Sequence, residues 1–327
     1  MLARYCAQAF CKAVTRRNRE TMEVFTQIKD IHQYPGIYMA LGTFDGVHVG
    51  HQAIISRTVE LAKNENCLSS VFTFSNHPLN VINPEHCPPL IITNPEKVNL
   101  IAALGVDILF NIPFTNQLLQ LTPESFVAML VDNLKLKHVI VGENFTYGYR
   151  GAGTSDMLKK AGVLHGFSVD VVHMVDIEGT VVSSTVIRQL IKEGEVKQAA
   201  VLLGRFVTIT GEVIKGDQRG NKLGFPTANL AIPQGLLVPA DGVYAVYATD
   251  KSGQKFNGVA NIGNNPTFTR QSRRIEIHIL DFDRLIYGEH LQVQFLDRIR
   301  GEIAFNSVEQ LKQQMANDIN FARKNYF

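Results

Sequence analysis

Gly42-Thr43-Phe44-Asp45-Gly46-Val47-His48-Val49-Gly50-His51 gathers two histidines, three glycines and an aspartate into one short run. Glycines let backbone amides approach a phosphate with no Cβ in the way, and a helix opening here would aim its N–H groups and positive dipole end at an anion. His48 and His51, three residues apart in a first helical turn, face one way and suit donation to a phosphoryl group as negative charge builds on it. A plainer reading makes Asp45 a helix cap and the histidines surface residues. The clustering favours a phosphate site, with Gly42, Phe44, Asp45 and Gly46 as ATP contacts and His48 and His51 as the catalytic pair.

Two further stretches could serve polyphosphate. Ser183-Ser184-Thr185-Val186-Ile187-Arg188 reads as a helix start whose hydroxyls and amides, with Arg188 one turn along, suit the β- and γ-phosphates of ATP. An ordinary Ser/Thr cap followed by a solvated arginine is the alternative. Between residues 211 and 229, Gly216, Gly220 and Gly224 recur every four residues among Lys215, Arg219 and Lys222, a pattern able to wrap polyphosphate but not a Walker loop. Thr227 and Asn229 alternate and so share one side of a strand. Their neutral oxygens suit a magnesium ion whose charge is balanced by ATP phosphates. A plain glycine-rich hairpin would look the same.

These candidates need elements to hold them. Residues 37–41, 69–74, 106–112, 138–141 and 168–172 read as strands, alternating with helical periodicity over 49–63, 95–104, 123–133 and 154–165. That rhythm predicts an α/β domain with a doubly wound parallel sheet, Rossmann-like, in which ligands bind at the carboxyl ends of the strands. Two short helices follow at 184–193 and 196–203. The texture then changes to strands at 206–214, 227–231, 243–249, 256–262, 274–280 and 291–295, with a helix over 307–326. A small antiparallel β-barrel with a terminal helix is expected there. Two domains, 22–204 and 205–327, fit a chain of 327 residues.

Composition bounds the class. Hydrophobic residues make up 45% and charged residues 19%, as in packed globular protein. The 32 basic and 30 acidic side chains leave a net charge of +2, which argues for no nucleic acid and no membrane as principal partner. Cys6, Cys11, Cys67 and Cys87 form neither a disulfide framework nor a zinc motif, and no apolar run approaches membrane-helix length, so a cytoplasmic location is expected. Residues 1–21 are basic until Glu20 and read as a leader or a misplaced start ahead of Met22, with organelle targeting the lesser reading. An oligomer stays open.

The run 42–51 is similar to the nucleotidyltransferase superfamily that shares the His-x-Gly-His signature. Gly224-Phe225-Pro226-Thr227-Ala228-Asn229, Gly242-Val243-Tyr244, Gly258-Val259-Ala260-Asn261-Ile262-Gly263 with Pro266-Thr267-Phe268, and Glu276-Ile277-His278-Ile279-Leu280-Asp281-Phe282 resemble riboflavin kinase. From about Met22 to Phe327 the chain resembles the bifunctional prokaryotic riboflavin kinase/FAD synthetase family. The resemblance implies two ATP-dependent reactions that require Mg²⁺: riboflavin to FMN in the barrel, then FMN to FAD with release of pyrophosphate in the α/β domain. It implies Thr227 and Asn229 as magnesium ligands and Glu276 as general base. From alternation alone, Glu276 could equally be the polar face of a half-buried strand.

The same resemblance implies adenine or phosphate contacts for Asn144, in Gly142-Glu143-Asn144-Phe145-Thr146-Tyr147-Gly148, and phosphate contacts for Ser184, Thr185 and Arg188. His77 and Arg300 become possible flavin or phosphate contacts, Arg300 being equally a solvated arginine. Two departures stand out: Phe74-Ser75-Asn76-His77-Pro78 where the family commonly reads Phe-Glu-Pro-His-Pro, and Val181 where many members carry a basic residue. They imply a slower or differently shaped adenylyl step. A riboflavin kinase with a weak or non-catalytic nucleotidyltransferase domain is the alternative.

Overall fold

The computed structural model describes residues 21–28, 36–216, 224–264 and 273–327. The leader expected at 1–21 falls, except for its last residue, outside the described residues. The chain divides into two compact units, Met1–Ser184 and Thr185–Phe327.

The first unit is built on six strands, β1 (Glu23–Phe25), β2 (Ile37–Leu41), β3 (Leu68–Phe74), β4 (Ile108–Ile112), β5 (Leu136–Gly142) and β6 (Ser168–Val172). They form one sheet in the order β1-β4-β3-β2-β5-β6, every pair parallel. Between them run α1 (Val49–Asn64), α2 (Asn94–Ala103), α3 (Pro123–Asn133) and α4 (Ser155–His165). β4 is buried along its whole length and β2 nearly so, as expected of strands covered on both faces. The chain winds from β2 through β3 to β4 on one side and from β5 to β6 on the other. The crevice at the carboxyl ends of β2 and β5 is therefore the switch point of the sheet.

Threonines start three of the helices: Thr93 forms a capping box with Glu96, and Thr122 and Thr154 cap α3 and α4. Two departures have local causes. β1 is only three residues long, too short to display alternation, yet Phe25 lies opposite Phe110 and their rings stack at 5.6 Å. β4 begins at Ile108 rather than at 106, because Asp107 turns its carboxylate onto the amide and hydroxyl of Ser69, at 2.9 and 2.8 Å.

The second unit comprises α5 (Ser184–Glu193) after its first residue, α6 (Val196–Leu203), six barrel strands and α7 (Val308–Asn325). The strands are β7 (Val207–Ile214), β8 (Ala228–Leu230), β9 (Gly242–Thr249), β10 (Lys255–Asn264), β11 (Arg273–Ile279) and β12 (His290–Arg300). They close in the order β7-β8-β11-β10-β9-β12, each described pair antiparallel, which removes the free edges of an open sheet. Tyr244, Val246, Ile262, Ile275, Ile277 and Phe295 fill the interior with no exposed surface. β12 runs past the 291–295 expected from alternation, since Asp297, Arg298 and Arg300 break the apolar pattern while their backbone still pairs with β9 through two register shifts. Among the described residues no helix is long and apolar enough to cross a membrane.

Candidate active sites

In the first unit, β2 delivers Gly42 to the crevice, where its amide donates to Phe72 O at 3.2 Å. The chain then passes three times into the left-handed region, at Phe44 (φ 48°), Gly46 (φ 82°) and Val47 (φ 38°). Glycine adopts that region freely, whereas a β-branched valine there is strained by an amount of order 1–3 kcal/mol. Burial holds the strain: Phe44 and Val47 are each 1% exposed, and the Phe44 ring lies against Gly42 so closely that a Cβ there would meet it at 2.9 Å. Asp45 does not cap the helix. Its buried carboxylate accepts the amide of Ile91, at 3.2 and 3.4 Å, and its carbonyl accepts the Ser184 hydroxyl at 3.0 Å.

The cap of α1 is His48, whose Nδ1 accepts the amide of His51 at 3.3 Å. That bond leaves the imidazole proton on Nε2. The His48 and His51 rings stack with centroids 3.5 Å apart, and Phe44 meets His51 edge-on at 5.2 Å. Both histidines are thus fixed at the amino end of α1, where anions are favoured. Asn144 lies on the same edge of the sheet, exposed just beyond β5, in a turn closed by Phe145 N donating to Gly142 O at 3.0 Å. Thr185 and Arg188 follow Ser184 along α5, Arg188 buried, in the part of that helix grouped with the second unit.

Beside this loop, β3 ends at Ser75-Asn76-His77-Pro78. The Asn76 amide exchanges two hydrogen bonds with the Phe114 backbone, Nδ2 donating to O at 3.1 Å and Oδ1 accepting from N at 2.7 Å. The departure from the family pattern at Asn76 therefore ties the loop to the segment after β4. His77 Nδ1 accepts the Leu79 amide at 3.1 Å, which again leaves the proton on Nε2. His77 and Asn76 border a cavity of about 20 Å³ together with Thr43, Asp45, Asn94 and Lys97, room for one water. Val181, the other departure, sits exposed in a short hairpin with Asp176–Ile177.

Lys97 is the residue that sequence reasoning passed over. It is only 9% exposed, and its Nζ donates to Phe74 O at 2.5 Å and Thr43 O at 3.4 Å. Burial lowers its pKa from 10.5 to about 8, against the opposing pull of the Asp45 charge. The signal was present in phase rather than in type: Lys97 and Ile101 lie one turn apart on the buried stripe of α2.

In the second unit, Asn229 of β8 stands directly opposite Ile214 on one side and Glu276 of β11 on the other, and Glu276 in turn stands opposite Asn261 of β10. Directly opposed residues share a face, so Asn261, Glu276 and Asn229 form a polar row across three strands. Ile275 and Ile277 point the other way, into the core. Asn229 Oδ1 is buried and has no hydrogen-bond partner among the described residues. Gly216 passes directly over it: a Cβ at that position would lie 2.2 Å from Asn229 Nδ2, so only glycine fits.

Thr227 precedes β8 on the Asn229 side of the strand and borders a cleft of about 190 Å³ walled by Ile277, Ile279, Phe282, Ile286 and Tyr287. His278 Nδ1 donates to Pro226 O at 2.8 Å and its ring meets Phe225 edge-on at 5.7 Å, which pins the Phe225-Pro226-Thr227 strap to β11. Asn261, Ile277, Ile279 and Phe282 stand within the riboflavin-kinase-like runs but carry no assigned role from sequence, because their place depends on strand register. Gly224 lies exposed in the turn before the strap. Gly220, with Arg219, Lys222, Pro266, Thr267 and Phe268, lies outside the described residues. Arg300 is engaged elsewhere than in a solvated position: its Nε and Nη2 form a fork on the buried carboxylate of Asp318, at 3.1 and 2.8 Å.

Comparison with known proteins follows the same division. A family model described as FAD synthetase matches residues 30–186, and one described as riboflavin kinase matches residues 203–326. A bifunctional riboflavin kinase/FMN adenylyltransferase from Listeria monocytogenes is 40% identical over 283 residues, covering 86% of this chain and 89% of its own. The Bacillus subtilis protein of the same description is 37% identical over 289 residues, again 86% and 89% of the two chains. A crystal structure described as a macrolide-efflux protein from Streptococcus pneumoniae superposes with a TM-score of 0.85 at 34% identity, covering 94% of this chain and all of the other.

Proposed function

The chain belongs to the bifunctional riboflavin kinase/FMN adenylyltransferase family, and from that premise we propose how named residues divide its two reactions. It phosphorylates riboflavin with ATP to give FMN and ADP, and it joins FMN to the adenylyl group of a second ATP to give FAD and pyrophosphate. A first domain that only binds nucleotide is not supported, since the relatives that match over most of the chain are named for both activities. The two domains divide between residues 204 and 205, a reading supported by the start of the riboflavin kinase match at residue 203, although the compact units part after Ser184.

For FMN formation, Thr227 and Asn229 are the ligands of Mg²⁺. The buried Asn229 Oδ1 and the close passage of Gly216 fit a small cation held on neutral oxygens. When bound, the ion balances charge on the ATP phosphates. Glu276 takes the proton of the primary ribityl hydroxyl as that oxygen attacks the γ-phosphorus, and the bond to the β–γ bridging oxygen breaks with ADP leaving. The observation that carries this reading is the register that sets Glu276 beside Asn229.

For FAD formation, the FMN phosphate attacks the α-phosphorus of ATP in line, the α–β bridge breaks and pyrophosphate leaves, with no covalent enzyme intermediate. His48 Nε2–H and His51 stabilise the charge on the phosphoryl oxygens, supported by the tautomer that the cap enforces. Gly42, Phe44, Asp45 and Gly46 shape the loop, Ser184, Thr185 and Arg188 meet the β- and γ-phosphates, Asn144 contacts adenine or phosphate, and His77 borders the flavin.

An assay that resolves FMN and FAD after incubation of riboflavin with ATP, with and without Mg²⁺, tests the pair. Glu276→Ala is expected to abolish FMN formation and to spare FAD formation from supplied FMN. His48→Ala with His51→Ala is expected to do the converse. Equal loss of both products in either variant would overturn the corresponding assignment.

A further inference from the structure

A buried lysine that meets two backbone carbonyls, near a phosphate site but not in it, calls for an explanation. Local forces oppose it: a cation in the first turn of α2 faces the positive end of the helix dipole, and removal of an ammonium from water is costly. Thr93 and Glu96 already complete the cap, so α2 does not need Lys97 to begin. The two carbonyls also belong to different elements. Thr43 O lies at the head of the loop that carries His48 and His51, and Phe74 O lies where β3 gives way to the loop that carries His77.

We propose that Lys97 is a positioning residue for FAD formation, a side chain that locks the nucleotide loop after β2 to the acceptor-side loop after β3. An ammonium carries three donors and no acceptor, so one group can hold two carbonyls at once and still offer a third N–H to the small cavity between the loops. Thr73 Oγ1 reaches Thr43 O at 2.9 Å from within β3, and Asn76 ties its loop outward to Phe114, away from the nucleotide loop. The charged and titratable groups that face Lys97 are Asp45 from the loop after β2 and His77 from the loop after β3. The inference rests on the assignment of adenylyl transfer to the loop of His48 and His51.

This role has a kinetic signature. If each loop binds its own substrate and Lys97 sets only their separation and angle, its loss harms the in-line approach and not the affinity for either substrate. In the full-length chain, Lys97→Met is expected to lower kcat for FAD formation from FMN and ATP at least about tenfold, with KM for both substrates within about threefold, since small misplacements weigh on the chemical step. Riboflavin phosphorylation by the same preparation stays at the wild-type rate. Lys97→Arg recovers a large part of kcat, and added ethylammonium partly restores Lys97→Ala.

Three results overturn the inference: an unchanged kcat in Lys97→Met, a loss confined to KM, or a loss that neither arginine nor ethylammonium relieves and that accompanies faster amide exchange along β2 and β3. His48→Ala with His51→Ala, run in parallel, separates the premises. If that double variant still makes FAD, the site assignment fails. If it does not while Lys97→Met is normal, only the role of Lys97 fails.

Discussion

His48 combines two tasks that usually fall to different residues. It caps α1 through Nδ1, and the same bond leaves the ring proton on Nε2. Asparagine is among the best cap residues and carries no imidazole, so His48→Asn separates the tasks. Thermal unfolding is expected to remain near wild type while FAD formation collapses; His48→Ala should lose both activity and about 1 kcal/mol of stability. Lys97 gives a prediction of the opposite kind. Its pKa is depressed from 10.5 to about 8 in the folded state, so between those values the unfolded chain binds the extra proton and stability rises with pH. Denaturant titrations of wild type and Lys97→Met across that window should show the variant's advantage shrink by up to about 3 kcal/mol. A gap that widens with pH would refute the burial of the charged form. His48 and His51 stand out in the sequence by type and clustering, and Asn229 by its alternation with Thr227 and by the family resemblance. Lys97 and Asn261 do not, because what distinguishes them is the neighbour brought by the fold.

At the scale of elements, alternation and caps were sufficient wherever an element was long and its pattern clean. β2, β3, α1, α3 and α5 lie within about two residues of the expected bounds; β2 carries a continuous apolar run and α3 a threonine–proline start. The failures share a cause: β1 and the far half of β12 are held by their partners and not by their own pattern. The same dependence on a partner makes Gly216 testable. A methyl group there must displace the Asn229 amide, so Gly216→Ala is expected to reduce riboflavin phosphorylation by more than tenfold, an effect of order 2 kcal/mol or more on the transition state. FAD formation from supplied FMN should be untouched. A fully active Gly216→Ala would show that Asn229 can move without consequence and is no ligand.

At the scale of the whole molecule, FMN connects the two reactions, and the FAD synthetase and riboflavin kinase matches fall on separate stretches of the chain. Chains damaged in one unit should therefore complement chains damaged in the other. A mixture of Glu276→Ala and His48→Ala/His51→Ala proteins is expected to convert riboflavin to FAD although neither does so alone, with a lag while FMN accumulates in solution. Absence of FAD from the mixture, with each protein competent in its own half-reaction, would mean that FMN released by one chain does not reach another.

The bond from Ser184 to Asp45 spans 139 residues. On a ribosome, β2 and its loop emerge long before the serine that fastens them, and the sheet waits for β5 and β6 as well. The barrel is still unmade when Ser184 appears. At about 5–20 residues per second, roughly 7 to 28 seconds separate synthesis of Asp45 from that of Ser184. Fastening of this loop thus waits on synthesis of residue 184, and the barrel strands from Val207 onward are made only afterwards.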